Sequence, residues 1–327
     1  MNNILIKTFP RIHITLIGMN EGGFRRHGGI GFSVSEPCME LRGFESKEFH
    51  IDDNRKIKLE FIEYRRLIES LNNLYTENKF NKKISITIDG EVIPHYGFGS
   101  ETALRLASLE MLSLINNYQP DKNELIHFSG RGGVSGIGIN TYFNGGFILD
   151  SGVKGIFEEY KPSNQLENRK SLPLLIHRQE TENWELGLYV NSDIKSLSEV
   201  EETIFFQNSC PILDYEAYEI LYVSVYGCLS AGIEKDKIGF CNAINRIQTT
   251  KWKALERKLY NNLINENEKS LFIAGATAVG MSSLGPLLYF FSDKSIEEVI
   301  SQAKIIGLKG RFYRSSMTNY GRVIQYE

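Results

Sequence analysis

Two α+β domains are what this sequence predicts, on three observations. Strand-like and helical runs both occur, without the regular strand–helix alternation of an α/β sheet. At 327 residues the chain is long for a single core. A polar stretch over 159–170 reads as a linker, which places the first domain at 1–165 and the second at 166–327.

Each element has its own signal. The first 40 residues alternate in strand fashion and are broken by the turn residues Asn20-Glu21-Gly22-Gly23. Phe61, Tyr64, Ile68, Leu71 and Tyr75 fall on one stripe and predict a helix over 59–75. Ile84, Ile86 and Ile88 alternate with Ser85 and Thr87, a half-buried strand over 83–89. A helix follows over 101–117, with Leu104, Ala107, Met111, Leu114 and Ile115 as its buried face. Ser100 is its N-cap and Pro120 limits its end. Strand-like runs then occupy 147–149, 172–177, 185–190, 271–274, 287–291 and 311–315, and helical patterns 214–231, 235–249 and 294–306.

Composition bounds the function. An apolar fraction of 42% with 24% charged residues is that of a soluble globular protein. A net charge of -3 argues against nucleic acid as a partner, because binding phosphate backbones needs a basic surface. No run approaches the roughly 18 apolar residues of a membrane span, and the N-terminus lacks a signal-peptide pattern. The four cysteines, Cys38, Cys210, Cys228 and Cys241, have no CxxC spacing. Reduced thiols in a cytoplasm are expected, without a zinc site or disulfide framework.

Glycine-rich segments carry the chemistry. Phe128-Ser129-Gly130-Arg131-Gly132-Gly133-Val134-Ser135-Gly136-Ile137-Gly138 holds five glycines, with Gly145-Gly146-Phe147-Ile148-Leu149-Asp150 close behind. It reads either as a tight turn or as a nest of backbone N–H groups for an anion, with Arg131 as a forked cation. Gly97-Phe98-Gly99-Ser100 stands directly before a helix, which aims unpaired N–H groups and the positive dipole end at whatever lies in front. It is neither a Walker A loop nor a GxGxxG fingerprint. The small residues over 275–286, including Ser282 and Ser283, read as a hairpin connection or a long loop. Arg11-Ile12-His13 and Arg25-Arg26-His27 flank another glycine turn, structural or functional.

The ordered series resembles the GHMP superfamily of galactokinase, homoserine kinase and mevalonate kinase. Within it, the chain is most similar to the β-ribofuranosylaminobenzene 5'-phosphate synthase family. Pro10-Arg11-Ile12-His13 resembles that family's N-terminal R-[IL]-H segment, and Arg25 with Gly28-Gly29-Ile30-Gly31 its GR-x-x-GGIG. Gly97-Phe98-Gly99-Ser100 resembles its GLGS loop, and 130–138 with 145–150 its GRGGTSGIG…GGFIVD. Phe205-Phe206 before Cys210-Pro211, and Ser282-Ser283-Leu284-Gly285-Pro286, complete a match that runs nearly end to end.

The resemblance implies a GHMP kinase-like α+β fold: a ribosomal-protein-S5-like N-terminal domain, a GHMP C-terminal domain, and a ligand cleft between them. It implies 5-phosphoribosyl-1-pyrophosphate (PRPP) as donor, Mg²⁺ as cofactor and a homodimer. The implied reaction joins ribose C1 to the ring carbon of 4-aminobenzoate, or of a heteroaromatic carboxylate, releasing CO₂ and pyrophosphate. Gly97, Gly99 and Ser100 would bind the diphosphate, and Gly130, Arg131, Gly132, Gly133 and Ser135 the same group or its metal. Ser282 and Ser283 would close the cleft. Arg11, His13 and Arg25 would face the 5-phosphate or the acceptor carboxylate. Asp150 would bind Mg²⁺ or the ribose hydroxyls, or merely cap its strand.

The chain departs from the family pattern at four positions. Gly18 stands where an acid is usual, Glu101 and Ala103 where the glycine loop continues Gly-Thr-Gln, and Val153 where a histidine is usual. These put the acceptor in question more than the donor. The alternative is an ATP-dependent small-molecule kinase, against which Glu101 replaces the second serine of the kinase loop.

Overall fold

The computed structural model describes residues 3–154 and 172–327. The linker expected over 159–170 lies outside them. In chain order the first part contains β1 (Ile4–Thr8), β2 (Arg11–Ile17), β3 (Arg25–Arg26), β4 (Gly28–Ser33), β5 (Met39–Ser46), β6 (His50–Asp53), α1 (Phe61–Glu77) and β7 (Lys83–Gly90). There follow α2 (Ser100–Ile115), α3 (Lys122–Ser129), α4 (Ile137–Asn144), β8 (Phe147–Asp150) and β9 (Val153–Lys154). Beyond the undescribed stretch lie β10 (Leu175–Gln179), β11 (Glu185–Asn191), α5 (Glu199–Ser209) and α6 (Asp214–Tyr222). A π-helical turn (Val223–Leu229) leads into α7 (Ser230–Glu234), then α8 (Lys237–Gln248), α9 (Lys251–Lys258) and α10 (Leu263–Ala274). The chain closes with β12 (Ala278–Met281), β13 (Leu288–Phe291), α11 (Ile296–Ile306), β14 (Gly310–Ser316) and β15 (Val323–Tyr326).

The strands form three main sheets. The first runs β15-β1-β5-β7-β6, antiparallel except for the parallel β6–β7 pair. The second runs β10-β8-β4-β2 and the third β12-β13-β11-β14, both antiparallel. Two strands beyond residue 165 enter sheets begun before it: β10 pairs with β8, and β15 with β1. One apolar cluster spans both parts, joining Phe32 and Phe147 to Phe240, Tyr289 and Phe291.

Helix α2 lies at the centre of the first part. Every position except Glu101 and Leu114 is buried. It packs on α1, α3 and α4 and on strands β1, β5 and β7. A helix buried on nearly every side belongs to the core, and that packing fixes where its first turn points.

Three sequence expectations change, the first being that the N-cap of α2 is Gly99, with Ser100 already inside the helix. Residues 271–274 are the last turn of α10, not a strand. Four apolar residues satisfy either period, and the polar Asn262–Ser270 turns before them settle the helix. The segment over 275–286 is no long loop either, because Ala278–Met281 forms β12 and pairs with β13.

Candidate active site

A cleft of about 360 Å³ opens where β2, the first turn of α2, the glycine-rich loop after α3, the start of α5 and the Ser283–Gly285 turn meet. Strand β2 presents Arg11 and His13 two residues apart, on one face of the strand. Arg11 Nη1 donates to Gly97 O at 2.6 Å. A Cβ at Gly99, whose φ is +74°, would stand 2.8 Å from Arg11 Cγ, so the arginine lies in the space a side chain would take. Burial, then the charge of Arg131, lowers the Arg11 guanidinium to about 10, which leaves it charged at neutral pH.

His13 is 4% exposed, and its Nε2 has no hydrogen-bond partner among the described residues. Burial first, then Arg11 and Lys253, hold its imidazole well below the ordinary histidine range. His13 is therefore a neutral group on the cleft wall.

Gly99 is the N-cap of α2 in the left-handed region, with no side-chain cap. Glycine takes that conformation without strain, and the uncapped first-turn N–H groups point at the cleft with the positive end of the dipole. Glu101 and Thr102 anchor the glycine-rich loop to this turn. Arg131 Nε donates to Thr102 Oγ1 at 3.0 Å and Nη1 to Glu101 Oε2 at 3.2 Å. Arg105 Nη2 stands 2.9 Å from Glu101 Oε1. Burial raises the Glu101 carboxyl, but Arg131 and Arg105 outweigh it and hold the group below its usual value.

The glycine-rich loop begins at Gly130, the left-handed C-cap of α3, and ends at the N-terminus of α4. Asp150 holds it from behind. Its Oδ2 accepts from Ser135 Oγ and from Gly136 N, both at 3.1 Å, and Oδ1 accepts from Gly152 N at 2.7 Å. Burial pushes this carboxyl up to about 7 against those donors. Arg25 closes the same turn, donating to Ser151 O at 3.2 Å and Gly152 O at 2.7 Å.

The structure thus brings Arg11, His13, Gly97, Gly99, Ser100, Arg131, Gly132, Ser135 and Ser283 to one cleft. Gly130, Gly133, Arg25, Asp150 and Ser282 are not among the residues that line it. Asp150, expected at a metal or ribose, has Oδ2 engaged by the loop and Oδ1 by Gly152 N, and is 1% exposed. Ser282, fully buried, accepts from His13 N at 3.1 Å and donates to Gly97 O at 2.8 Å.

Sequence reasoning passed over the opposite wall. His95 Nε2 stands 2.7 Å from Glu63 Oε1, and that bond, against burial, raises the imidazole to about 9. Arg66 is paired with Glu199. Glu202 lies one turn before Phe206 on α5, and both line the cleft with Leu197 and Leu284. His95 adjoins the glycine loop in sequence, a positional signal. The acidic start of α5 looks like an ordinary solvated helix N-terminus and gave none.

No protein-family model matches the sequence. Three relatives, each named β-ribofuranosylphenol 5'-phosphate synthase, match nearly end to end. That of Archaeoglobus fulgidus is 30% identical over 290 residues, covering 89% of this chain and 88% of its own. That of Methanothermobacter thermautotrophicus is 29% identical over 322 residues, covering 94% and 96%. Among solved structures, homoserine kinase from Cytophaga hutchinsonii superposes with a TM-score of 0.69 at 14% identity, over 99% of this chain and 97% of that one. L. major mevalonate kinase superposes at 0.68 with 12% identity, over 96% of each. By sequence the chain belongs to the β-ribofuranosylphenol 5'-phosphate synthase family, and its fold is that of the GHMP kinases.

Proposed function

We propose that the protein is a PRPP-dependent C-ribosyltransferase that joins ribose 5-phosphate to an aromatic carboxylate with loss of CO₂ and pyrophosphate. The observation that carries this is the convergence of Arg11, Arg131 and the uncapped first turn of α2 on one cleft. Charged donors and helix N–H groups at one place favour a diphosphate. The relatives' names put a phenol on the product. 4-Hydroxybenzoate therefore stands first as acceptor, beside 4-aminobenzoate.

In this reading the ring carbon bearing the carboxylate attacks ribose C1, and the C1–oxygen bond to pyrophosphate breaks. The bond to the carboxylate then breaks, and its electron pair restores the aromatic ring as CO₂ leaves. The protein binds and orients the partners and stabilises the charge that grows on pyrophosphate. Arg11 and Arg131 hold the diphosphate, with the N–H groups of Gly99 and Ser100. His13, being neutral, contributes a hydrogen bond rather than charge. Asp150 and Arg25 act as positioning residues for the glycine-rich loop.

The described residues contain no group of three or more His, Cys, Asp or Glu placed to hold a metal ion. Of the six cleft carboxylates, Glu63, Glu101 and Glu199 are paired with cations. Magnesium would be carried chiefly by phosphate oxygens of PRPP, with few protein ligands, and would supply charge neutralisation of the leaving group. The kinase alternative has the fold in its favour. Against it, Glu101 places a paired carboxylate where a kinase loop presents a serine.

The test is incubation with Mg²⁺, PRPP and either benzoate, followed by product mass and CO₂ release. A ribosylated, decarboxylated product is expected. ATP consumption without use of PRPP would overturn the reading.

A further inference from the structure

Apart from the groups already assigned, one cleft carboxylate has no evident structural duty. Glu202 is half-buried in the cleft wall, and its carboxyl has no hydrogen-bond or ion-pair partner among the described residues. It sits one helical turn before Phe206, whose ring is packed edge-on or tilted against Phe205 and Trp252. Residues four apart share a helix face, so α5 offers the cleft a fixed aromatic surface with a carboxyl beside it. Leu197 and Leu284 extend that apolar wall. The cations of Arg11 and Arg131 are already engaged with Gly97 O and Glu101, toward the start of α2.

We propose that Glu202 is the base that takes the hydroxyl proton of a phenolic acceptor, with Phe206 seating the acceptor's ring. The inference rests on the ribosyltransferase reading above. The Glu202 carboxylate accepts the O–H proton, and the oxygen's electron pair is delivered through the ring to the carbon that carries the carboxylate. That carbon forms its bond to ribose C1 as pyrophosphate departs with the C1–oxygen pair. Loss of CO₂ returns an electron pair to the ring, and the phenolate oxygen recovers its proton from Glu202. The proton is borrowed and returned, and pyrophosphate carries away the negative charge.

The surroundings suit this duty. Burial first, with Glu101 and Glu199 adding to it, pushes the Glu202 carboxyl up to about 7 against the cations of His95 and Arg131. Tyr260 is near enough to feel the Glu202 charge, and its hydroxyl donates to Leu284 O. A base poised near neutrality transfers protons best at neutral pH. His95, held cationic by Glu63, stays charged while Glu202 titrates.

The experiment compares wild type and Glu202→Gln with PRPP and either 4-hydroxybenzoate or 4-aminobenzoate, from about pH 5.5 to 8.5. The amine's nitrogen lone pair needs no proton removed before attack, so the two acceptors separate base catalysis from general damage. Wild type is expected to show an acid limb near pH 7 with the hydroxy acceptor, activity rising as Glu202 loses its proton. Glu202→Gln is expected to abolish that limb. It should lower kcat about a hundredfold more for the hydroxy than for the amino acceptor, the usual scale of general-base catalysis. Should the glutamine variant not fold, Glu202→Asp serves, expected to keep the limb and to slow the hydroxy acceptor more than the amino one. Equal losses on both acceptors, or a limb that survives in Glu202→Gln, overturn the assignment and leave the ribosyltransfer reading intact. Wild type that binds PRPP but turns over neither acceptor overturns that reading and this one together.

Discussion

Glu101 and Arg131 meet 3.2 Å apart, and the contact ties the first turn of α2 to the glycine-rich loop. It also places a negative charge beside the proposed diphosphate site. Arg131→Ala removes a charge-assisted donor and leaves Glu101 with less compensation. PRPP affinity is expected to fall about 10- to 100-fold, as loss of one such bond implies, with the fold retained by circular dichroism. Titration calorimetry that finds an unchanged Kd would remove Arg131 from the site.

Glu101→Gln should act in opposite directions on stability and binding. It leaves the buried Arg105 without its carboxylate, a loss of about 1–3 kcal/mol, read as a lower melting temperature without ligand. It also removes the charge opposing phosphate, so PRPP should bind more tightly. Weaker PRPP binding would show that Glu101 organises the site more than it repels the ligand.

Gly29→Ala tests the packing behind His13. A Cβ there would collide with His13 Nε2 and stand 3.0 Å from Ser135 Oγ. Overpacking of this kind costs about 1–3 kcal/mol, and the histidine must move to relieve it. Urea denaturation should show the loss of stability, and turnover should fall with it. A variant as stable and active as wild type would mean His13 moves without consequence.

Asp150→Asn replaces a carboxylate that accepts three bonds with an amide that has one acceptor oxygen and two donors. A backbone N–H loses its acceptor, at about 1–3 kcal/mol, and the loop carrying Arg131 loosens. A lower melting temperature and weaker PRPP binding are expected together. A fall in turnover alone, with both of these intact, would instead point to a direct role in the chemistry.

The Glu63–His95 pair predicts a pH dependence of stability. The imidazole rises from 6.5 to about 9 on folding, so the pair's contribution is complete below pH 6.5 and is lost as pH rises through 9. The loss amounts to about 2 kcal/mol after allowance for partial exposure. Melting temperatures should fall over that window in wild type and more shallowly in His95→Gln. Parallel curves would mean the imidazole is not held charged.

Much of this was legible in the sequence. The stripe from Phe61 to Tyr75 and the alternation of Ile84, Ile86 and Ile88 became α1 and β7 within two residues of the expected limits. Residues of all three glycine-containing loops line one cleft. What stayed hidden was hidden for physical reasons. Ala278–Met281 is a four-residue strand buried throughout and wholly apolar, so it lacks the polar–apolar alternation that marks a half-exposed one. Glu202 belongs to an acidic first turn that suits the dipole of α5, and only the fold shows that its side chain turns inward. Asp150 was noticed for its place at a strand end, but its partners lie fourteen and fifteen residues back as well as two ahead. Strand pattern alone cannot reveal such bonds.

A last consequence follows from the Ser282 hydroxyl. It bonds to His13 N across 269 residues of chain and to Gly97 O across 185. Three segments remote in sequence therefore share one oxygen, beneath the residues that would grip the donor. Arg11 shares the Gly97 carbonyl with this hydroxyl, so its position depends on the residue that follows β12. Binding capacity accordingly depends on all three segments being in place together, and a break at this one hydroxyl reaches each of them.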